Sequence, residues 1–194
     1  MALEKFNSKY IPQIVERVKP IWTPQDASDD FKKLYAEAIV RQNGADNDMQ
    51  FMHTDGGRLL AVTFSETKNE TNSAGEWLKK VFENSTDKEK KILGVSRDYL
   101  SMMDQKTFSY MTDSDVKLSL FVSIAKGEGK KILDETIAFY KSRGFKNMYL
   151  WTDCDCNVDF YFNHGYELVE EGTYDAFSRP EEEYKTYVFK KGIF

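Results

Sequence analysis

The spacing of apolar and polar residues predicts a helix and then a β-hairpin in the first part of the chain. The apolar residues at helical spacing are Phe31, Leu34, Tyr35, Ala38 and Ile39. Thr23-Pro24-Gln25-Asp26 has the residue types of a helix start, and Asn43-Gly44 has those of a helix end. Residues 49–53 and 58–65 are predicted to be strands that flank the turn Asp55-Gly56-Gly57.

Residues 66–112 are predicted to form a helical insertion. Thr86-Asp87-Lys88-Glu89 matches the capping box that starts a helix, and an apolar stripe precedes it at Trp77, Leu78, Val81 and Phe82. An exposed stripe between residues 77 and 103 would offer a surface to another protein chain. An interaction protein is therefore one alternative that the sequence leaves open.

The second half of the chain changes to a strand–loop–helix–strand pattern. Residues 116–122 and 148–152 are predicted to be strands, and Gly144 ends the helix between them. The residues that share the apolar face of that helix are Ile132, Leu133, Thr136, Ile137 and Tyr140. This order indicates a β-α-β unit.

A short helix and two further strands follow this unit. The helix is predicted over residues 155–164 and ends at Gly165, while residues 166–172 and 184–190 are predicted to pair as antiparallel strands. Together with the hairpin, these elements predict an α/β fold of the α+β kind, with a mixed sheet.

Composition and charge narrow the class of protein. The chain has 194 residues, of which 41% are hydrophobic types, so we predict a single domain over residues 1–194. Its formal charge of −5 gives no overall attraction to nucleic acid. No apolar run approaches the ~18 residues of a membrane span, and the first residues lack the apolar core of a secretion signal. We therefore expect a cytoplasmic protein with no nucleic-acid or membrane partner.

The two cysteines, Cys154 and Cys156, are separated by a single residue. A disulfide across this spacing would be strained, so we expect reduced thiols. Asp153 and Asp155 could join the cysteines in a metal clip, but the two histidines lie far away in sequence without metal-ligand spacing. We expect no metal site.

The turn before the helix of the second half is a candidate anion site, with the sequence Lys126-Gly127-Glu128-Gly129-Lys130-Lys131. The N-terminus of a helix exposes unpaired N–H groups and the positive end of the helix dipole, which attract phosphate. Glycines let the backbone approach such an anion closely. Ordinary turn chemistry explains the same glycines, and neither of the two best-known phosphate motifs is present.

The segment downstream of this turn resembles the signature region of the GNAT superfamily of acyl-CoA-dependent N-acyltransferases. In that family a strand leads to a short helix that ends in Phe-Tyr-x-x-x-Gly-Phe, which Phe160-Tyr161 and Gly165-Tyr166 match. The turn resembles the family's pyrophosphate loop, usually Gln/Arg-x-x-Gly-x-Gly/Ala, with Ile124 at the Gln/Arg position. The resemblance covers residues 112–190 well and the first 65 residues only in the order of their elements.

This resemblance implies a GNAT-like fold and a coenzyme site. The implied fold has a central, mostly antiparallel sheet with one splayed parallel strand pair, and the helical insertion is added to it. Acetyl-CoA would be the co-substrate, with its pantetheine arm between the splayed strands and no metal. The residues implied to bind it are Leu120, Phe121, Val122, Ser123, Lys126, Gly127, Glu128, Gly129, Lys130, Lys131 and Asn157.

The resemblance also implies an N-acetyltransferase that transfers an acetyl or another short acyl group to an amine by direct attack on the thioester. Tyr161 stands where the family carries a tyrosine that protonates the leaving thiolate, and a phenol with a pKa of about 10 suits a thiol with a pKa of about 8.5. Glu66 is a candidate base, and ordered water is the alternative.

The sequence does not distinguish a small-molecule amine from a peptide amine as the acceptor, and it leaves homodimer formation open. A second alternative to the enzyme is a GNAT-fold module that binds acyl-CoA or a protein partner without turnover.

Overall fold

The computed structural model describes residues 3–68, 70, 72 and 74–193, which form a seven-stranded sheet with six α-helices. In chain order the elements are β1 (Glu4–Lys5), α1 (Ile11–Trp22), α2 (Asp29–Gln42), β2 (Gln50–Asp55), β3 (Arg58–Glu66), α3 (Gly75–Asn84), α4 (Asp87–Tyr110), β4 (Asp115–Ser123), α5 (Glu128–Ser142), β5 (Asn147–Asp153), α6 (Val158–Asn163), β6 (Glu167–Thr173) and β7 (Lys185–Gly192). None of the helices in this described part has the length and apolar character that crossing a bilayer requires.

The first half of the structure confirms the hairpin and corrects the start of the helix before it. β2 and β3 pair around Gly56 and Gly57, whose φ angles of 54° and 81° are the left-handed values of a type I′ turn. α2 starts after Ser28, whose side chain accepts a hydrogen bond from the N–H of Phe31. The predicted start at Thr23 was wrong, because this residue ends α1 and its hydroxyl donates to a carbonyl of that helix.

The sequence pattern does not predict α1. Its buried residues are Ile11, Ile14, Val15 and Val18, which pack against the sheet. Pro12 stands in the first turn, where a missing N–H breaks no helical hydrogen bond, and Pro20 stands inside the last turn, where it cannot donate to the carbonyl of Glu16. Two prolines eight residues apart are typical of a loop, so the sequence pattern does not indicate this helix. Packing against the sheet stabilises it.

The predicted insertion forms α3 and α4, and the capping box of Thr86 and Glu89 is present at the start of α4. The apolar stripe of α3 packs against α2, where Phe31, Tyr35 and Ala38 are buried. Val81 is buried in this contact, whereas Trp77, Leu78 and Phe82 are half-buried. The packing therefore covers part of the face on which the interaction-protein alternative depends.

The strand order is β1-β2-β3-β4-β5-β7-β6, and β4 and β5 are the parallel neighbours. Their pairing covers only the first part of both strands and ends at Lys117 and Tyr149. Beyond these residues β4 continues to Ser123 and β5 to Asp153 without pairing to each other. The structure thus confirms the mostly antiparallel sheet with one splayed parallel pair.

A β-bulge at Ser119 changes which face of the sheet the side chains of β4 cover. Phe64 of β3 pairs with Leu120, but the next residue of β3 pairs with Leu118, so Ser119 has no partner on that strand. One extra residue reverses the alternation of side chains. Leu118 accordingly packs in the core under α5, whereas Leu120 packs in the core under α1 and α2.

Candidate active site

A cavity of about 960 Å³ opens where β4 and β5 have separated. Residues 119–123 of β4 and 151–153 of β5 line it, together with residues of α1, α2, α4, α6, the first turn of α5 and the loop between β6 and β7. This volume lies at the upper end of the range of about 300–1,000 Å³ that is usual for small-molecule sites. The cavity is therefore large enough for an extended coenzyme arm and a second small molecule.

The first turn of α5 forms one end of the cavity, here called the α5 end. Gly127 caps the helix with a φ of 83° and has no side chain to bond the N–H groups of the first turn. A Cβ placed on Gly129 would lie 2.9 Å from the Cβ of Ser123, so only glycine lets α5 begin this close to β4. An uncapped helix N-terminus that faces a cavity is suited to bind an anion.

Most of the residues predicted to bind the coenzyme line the cavity, namely Leu120, Phe121, Val122, Ser123, Gly127, Gly129, Lys130 and Asn157. Within the described part of the chain, Lys126, Glu128 and Lys131 are not among the lining residues. Glu128 is buried and accepts a hydrogen bond of 2.6 Å from Nζ of Lys131, which lowers the pKa of its carboxyl group. Its other oxygen lies 3.5 Å from Nδ1 of His53.

Arg17 of α1 adds a cation near the α5 end. It lines the cavity, and its Nε donates to the carbonyl oxygen of Ser123 at 3.3 Å. Ile124 occupies the position where the family motif carries Gln or Arg, and its side chain has no polar group. Arg17 brings a basic group beside that turn from another element. No sequence signal identifies Arg17, because the sequence pattern does not predict α1 and no motif includes this residue.

Tyr161 of α6 lies in the cavity wall. Its ring contacts Phe160, Tyr166 and Phe189, with ring centroids 5.2–5.4 Å apart. Burial raises the pKa of the phenol above its ordinary value, so the hydroxyl carries its proton at neutral pH. A protonated phenol in this wall can donate to an atom inside the cavity. The raised pKa makes it a weaker acid than the sequence analysis expected, because it moves the phenol further from the pKa of a thiol.

Glu66, the predicted base, ends β3 and belongs to a buried ionic cluster. Its Oε1 lies 2.7 Å from Nζ of Lys117 and accepts a hydrogen bond of 2.8 Å from the hydroxyl of Ser119. Lys117 is fully buried and also pairs with Asp104. Among the described residues that line the cavity Glu66 does not occur.

Another part of the cavity wall contains residues that sequence analysis did not group together, here called the aromatic pocket: Tyr99, Trp151, Asp153, Phe177 and Tyr184. The ring of Tyr99 lies 5.1–6.0 Å from the other three rings. Its hydroxyl donates to Oδ2 of Asp153 at 3.0 Å. Burial raises the pKa of Asp153, and hydrogen bonds from Tyr184 and Tyr99 oppose that rise.

The two cysteines both line the cavity, with Cys154 exposed and Cys156 partly buried. Burial raises the pKa of the Cys156 thiol to about 12, so it is a poor nucleophile at neutral pH. In residues 3–68, 70, 72 and 74–193, no group of three or more His, Cys, Asp or Glu residues could hold a metal ion.

Comparison with known proteins finds similarity in structure alone. No family model matches the sequence, and no curated protein matches it. The C-terminal condensation domain of Ebony, solved with β-alanyl-dopamine, aligns with a TM-score of 0.64 at 8% identity over 99% of this chain and 98% of that chain. Arylalkylamine N-acetyltransferase 2 from Aedes aegypti aligns with a TM-score of 0.54 at 15% identity over 100% and 99%. The chain has the GNAT fold.

The ribosomal-protein-S18-alanine N-acetyltransferase from Escherichia coli supports the same assignment, with a TM-score of 0.55 at 11% identity over 99% of this chain and 93% of that chain. These structural alignments establish the GNAT fold. Their low sequence identities leave the substrates to be inferred from the cavity. In this GNAT-fold chain, the splayed strands, the first turn of α5 and Tyr161 all border the same cavity.

Proposed function

We propose that the chain is an N-acetyltransferase that moves an acetyl or another short acyl group from acyl-CoA to an amine. The observation that carries this proposal is the cavity between the splayed strands, with an uncapped helix N-terminus at one end and Tyr161 in its wall. Solved structures of similar fold include N-acetyltransferases named for arylalkylamines, agmatine and polyamines, so all three names refer to amines.

The diphosphate of acyl-CoA binds at the α5 end in this proposal. The backbone N–H groups of Gly127, Gly129 and Lys130 donate to it, because the first turn of a helix leaves such groups without partners. The cations of Lys130 and Arg17 add charge attraction at the same end.

The pantetheine arm follows the edge of β4 that no longer pairs with β5. Beyond Lys117 that edge presents the backbone groups of residues 120–122, which can pair with the amides of the arm as a further strand would. The bulge leaves Ser119 without a partner on β3. Its N–H is therefore a candidate donor to the thioester carbonyl oxygen when that oxygen becomes negative.

The acyl transfer is a direct displacement at the thioester. The lone pair of the neutral amine attacks the carbonyl carbon, the C–N bond forms, the C–S bond breaks, and the sulfur of CoA leaves as a thiolate. The Tyr161 hydroxyl donates its proton to this sulfur. Its phenolate then takes the proton that the nitrogen loses on becoming an amide, because burial makes that phenolate a strong base.

Amines are mostly protonated at neutral pH, so one more proton must leave before the attack. The contacts of Glu66 do not favour this role, since its carboxylate is engaged by Lys117 and Ser119. Ordered water or a carboxylate that lines the cavity is better placed to accept the proton.

A second candidate function is the condensation of a larger acyl or aminoacyl unit with an amine. The alignment with the Ebony condensation domain, whose TM-score of 0.64 exceeds those of the acetyltransferases named above, favours it. Ile124 at the Gln/Arg position of the pyrophosphate loop also favours a donor that depends less on this loop.

Calorimetric titration with acetyl-CoA, followed by a thiol-release assay over a panel of amines, tests the proposal. We expect saturable binding of acetyl-CoA and release of CoA that depends on the amine. A β-alanyl thioester in the same assay distinguishes the condensation reaction by faster turnover than acetyl-CoA. Binding without thiol release for every amine would instead favour the non-catalytic module, and absence of binding would contradict the proposal.

A further inference from the structure

Asp153 is a buried carboxylate in the cavity wall that lacks a cationic partner. Its relative exposure is 8%, and among the described residues it has no lysine, arginine or histidine nitrogen within 4.0 Å. It accepts hydrogen bonds from the hydroxyl of Tyr99 at 3.0 Å and from the N–H of Asp155 at 3.2 Å. Buried carboxylates are normally paired with a cation, because removing a charge from water is costly. No cation among the described residues compensates this carboxylate, so a cationic ligand would stabilise its charged form.

Aromatic rings surround this carboxylate on three elements. Tyr99 comes from α4, Trp151 precedes Asp153 on β5 by two residues, and Phe177 and Tyr184 come from the segment between β6 and β7. The faces of such rings attract cations, and the rings can also stack on an aromatic ligand. A carboxylate within a set of rings is complementary to an ammonium group carried on an aromatic stem.

We infer that the aromatic pocket is the acceptor site, that it binds a small primary amine with an aromatic stem, and that Asp153 is both the counter-ion of the ammonium group and the acceptor of its first proton. This inference rests on the proposed function, and it names the class of acceptor and a further catalytic residue for it.

Two other classes of acceptor fit the pocket less well. A polyamine carries several charges and needs a second buried carboxylate, but the other acidic residues of the cavity lining, Asp155, Glu182 and Glu183, are exposed. Glu182 also pairs with Arg179 at 3.8 Å. A peptide needs partners for its backbone amide groups, whereas four of the five residues that define the aromatic pocket present rings. An arylalkylamine needs one buried charge and an apolar wall, and the pocket supplies both.

The proton balance of the reaction follows from this geometry. The ammonium group R–NH₃⁺ gives one proton to the Asp153 carboxylate, which leaves the neutral amine R–NH₂ with a free lone pair. After the attack and the loss of CoA, the second proton of the nitrogen passes to the Tyr161 phenolate, which has already protonated the sulfur. Asp153 releases its proton to solvent when the amide leaves, so the net products are the amide, CoA–SH and one proton.

Calorimetric titration with 2-phenylethylamine, with and without coenzyme A, tests the inference without requiring turnover. In the wild-type protein we expect 2-phenylethylamine to bind at least 10-fold more tightly than 2-phenylethanol, which lacks the charge, and than propylamine, which lacks the ring. Asp153→Asn should reduce the affinity for 2-phenylethylamine at least 10-fold and leave that for 2-phenylethanol unchanged. Asp159→Asn removes the same charge from an exposed residue of α6 and should bind both ligands as the wild type does.

Equal affinities of wild type and Asp153→Asn for 2-phenylethylamine would overturn the role of Asp153. Tighter binding of spermidine or of an alanyl dipeptide than of 2-phenylethylamine would overturn the substrate class. The ligand series on the wild type decides the matter even if Asp153→Asn does not fold. A separate titration with acetyl-CoA keeps the two claims apart, because loss of acetyl-CoA binding contradicts the proposed function and loss of amine binding contradicts this inference.

Discussion

Lys117 and Asp153 are both buried, but the fold treats their charges differently. Lys117 pairs with Glu66 and Asp104, and the ring of Phe108 lies 4.7 Å from its ammonium nitrogen. Such a cluster compensates the cost of burying a charge within the protein. Asp153 has only neutral donors, so a cation from outside the chain would complete its environment. Lys117 stabilises the point where β4 and β5 begin to separate, and Asp153 is available for chemistry.

The proposed role of Tyr161 as the general acid predicts the effect of removing its hydroxyl. Tyr161→Phe should reduce kcat about 100-fold or more, because general acid catalysis contributes roughly 10²–10⁴ in rate. The dissociation constant of acetyl-CoA should stay within about twofold of the wild-type value, since the ring and its packing are kept. Steady-state kinetics and calorimetric titration measure the two quantities.

Tyr166→Phe is the matched control for this change. The Tyr166 ring contacts that of Tyr161, but its hydroxyl is buried without a partner among the described residues, and the side chain is not part of the cavity lining. We expect kcat to stay unchanged and stability to stay equal or rise, because an unsatisfied buried hydroxyl is removed. Equal losses of kcat in both variants would show that packing, and not proton transfer, explains the result for Tyr161.

The raised pKa of Asp153 predicts a pH-dependent effect on stability. Burial makes the folded state hold this proton more tightly than the unfolded state, where the pKa is about 4. The resulting stabilisation is complete below pH 4 and is lost as the pH rises through the folded-state value. Asp153→Asn should therefore gain in free energy of unfolding relative to the wild type as the pH rises above about 4. Urea titrations at a series of pH values measure this difference, and a constant difference from pH 4 to 8 would contradict it.

At the scale of elements, the start of α5 is fixed by its close approach to β4. Gly127 supplies the left-handed turn, and Gly129 leaves the space that Ser123 and Phe121 occupy. The same approach brings Gly127, Gly129 and Lys130 into the cavity lining. The anion binding that we propose at this turn would thus depend on packing as well as on charge.

Gly129→Ala tests this dependence. The added Cβ would lie 2.9 Å from Cβ of Ser123 and 3.2 Å from Cζ of Phe121, so α5 must shift. We expect a loss of about 1–3 kcal/mol in stability from overpacking, and acetyl-CoA affinity at least 10-fold weaker because the N–H groups move with the helix. Gly94→Ala in α4 is the control, because a Cβ there meets nothing within 4 Å. It should raise stability by about 0.5–1 kcal/mol and leave acetyl-CoA binding unchanged.

The elements that the sequence predicted correctly are those with local signals. The hairpin has its two glycines, α4 its capping box and α5 its glycine stop, and each signal lies within a few residues of the feature it determines. α1 was missed because its prolines resemble loop residues, and the bulge at Ser119 depends on pairing with β3, which no local pattern shows.

At the scale of the whole molecule, one part of the cavity could be predicted and another could not. The α5 end consists of consecutive residues in one turn. Tyr161 lies on α6, which follows α5 after the single strand β5. The aromatic pocket joins Tyr99 of the insertion to Asp153 and to Tyr184 near the last strand. Only the packing of α4 beside β5 brings these residues together, so the sequence alone showed a helical insertion with no evident role.

The most direct test of the account is a crystal structure of the chain with acetyl-CoA. We predict that the diphosphate oxygens lie within hydrogen-bond distance of the N–H groups of Gly127, Gly129 and Lys130, and that the thioester sulfur lies within reach of the Tyr161 hydroxyl, with the aromatic pocket on the opposite side of the carbonyl carbon. Acetyl-CoA bound outside the gap between β4 and β5, or a thioester remote from Tyr161, would contradict it.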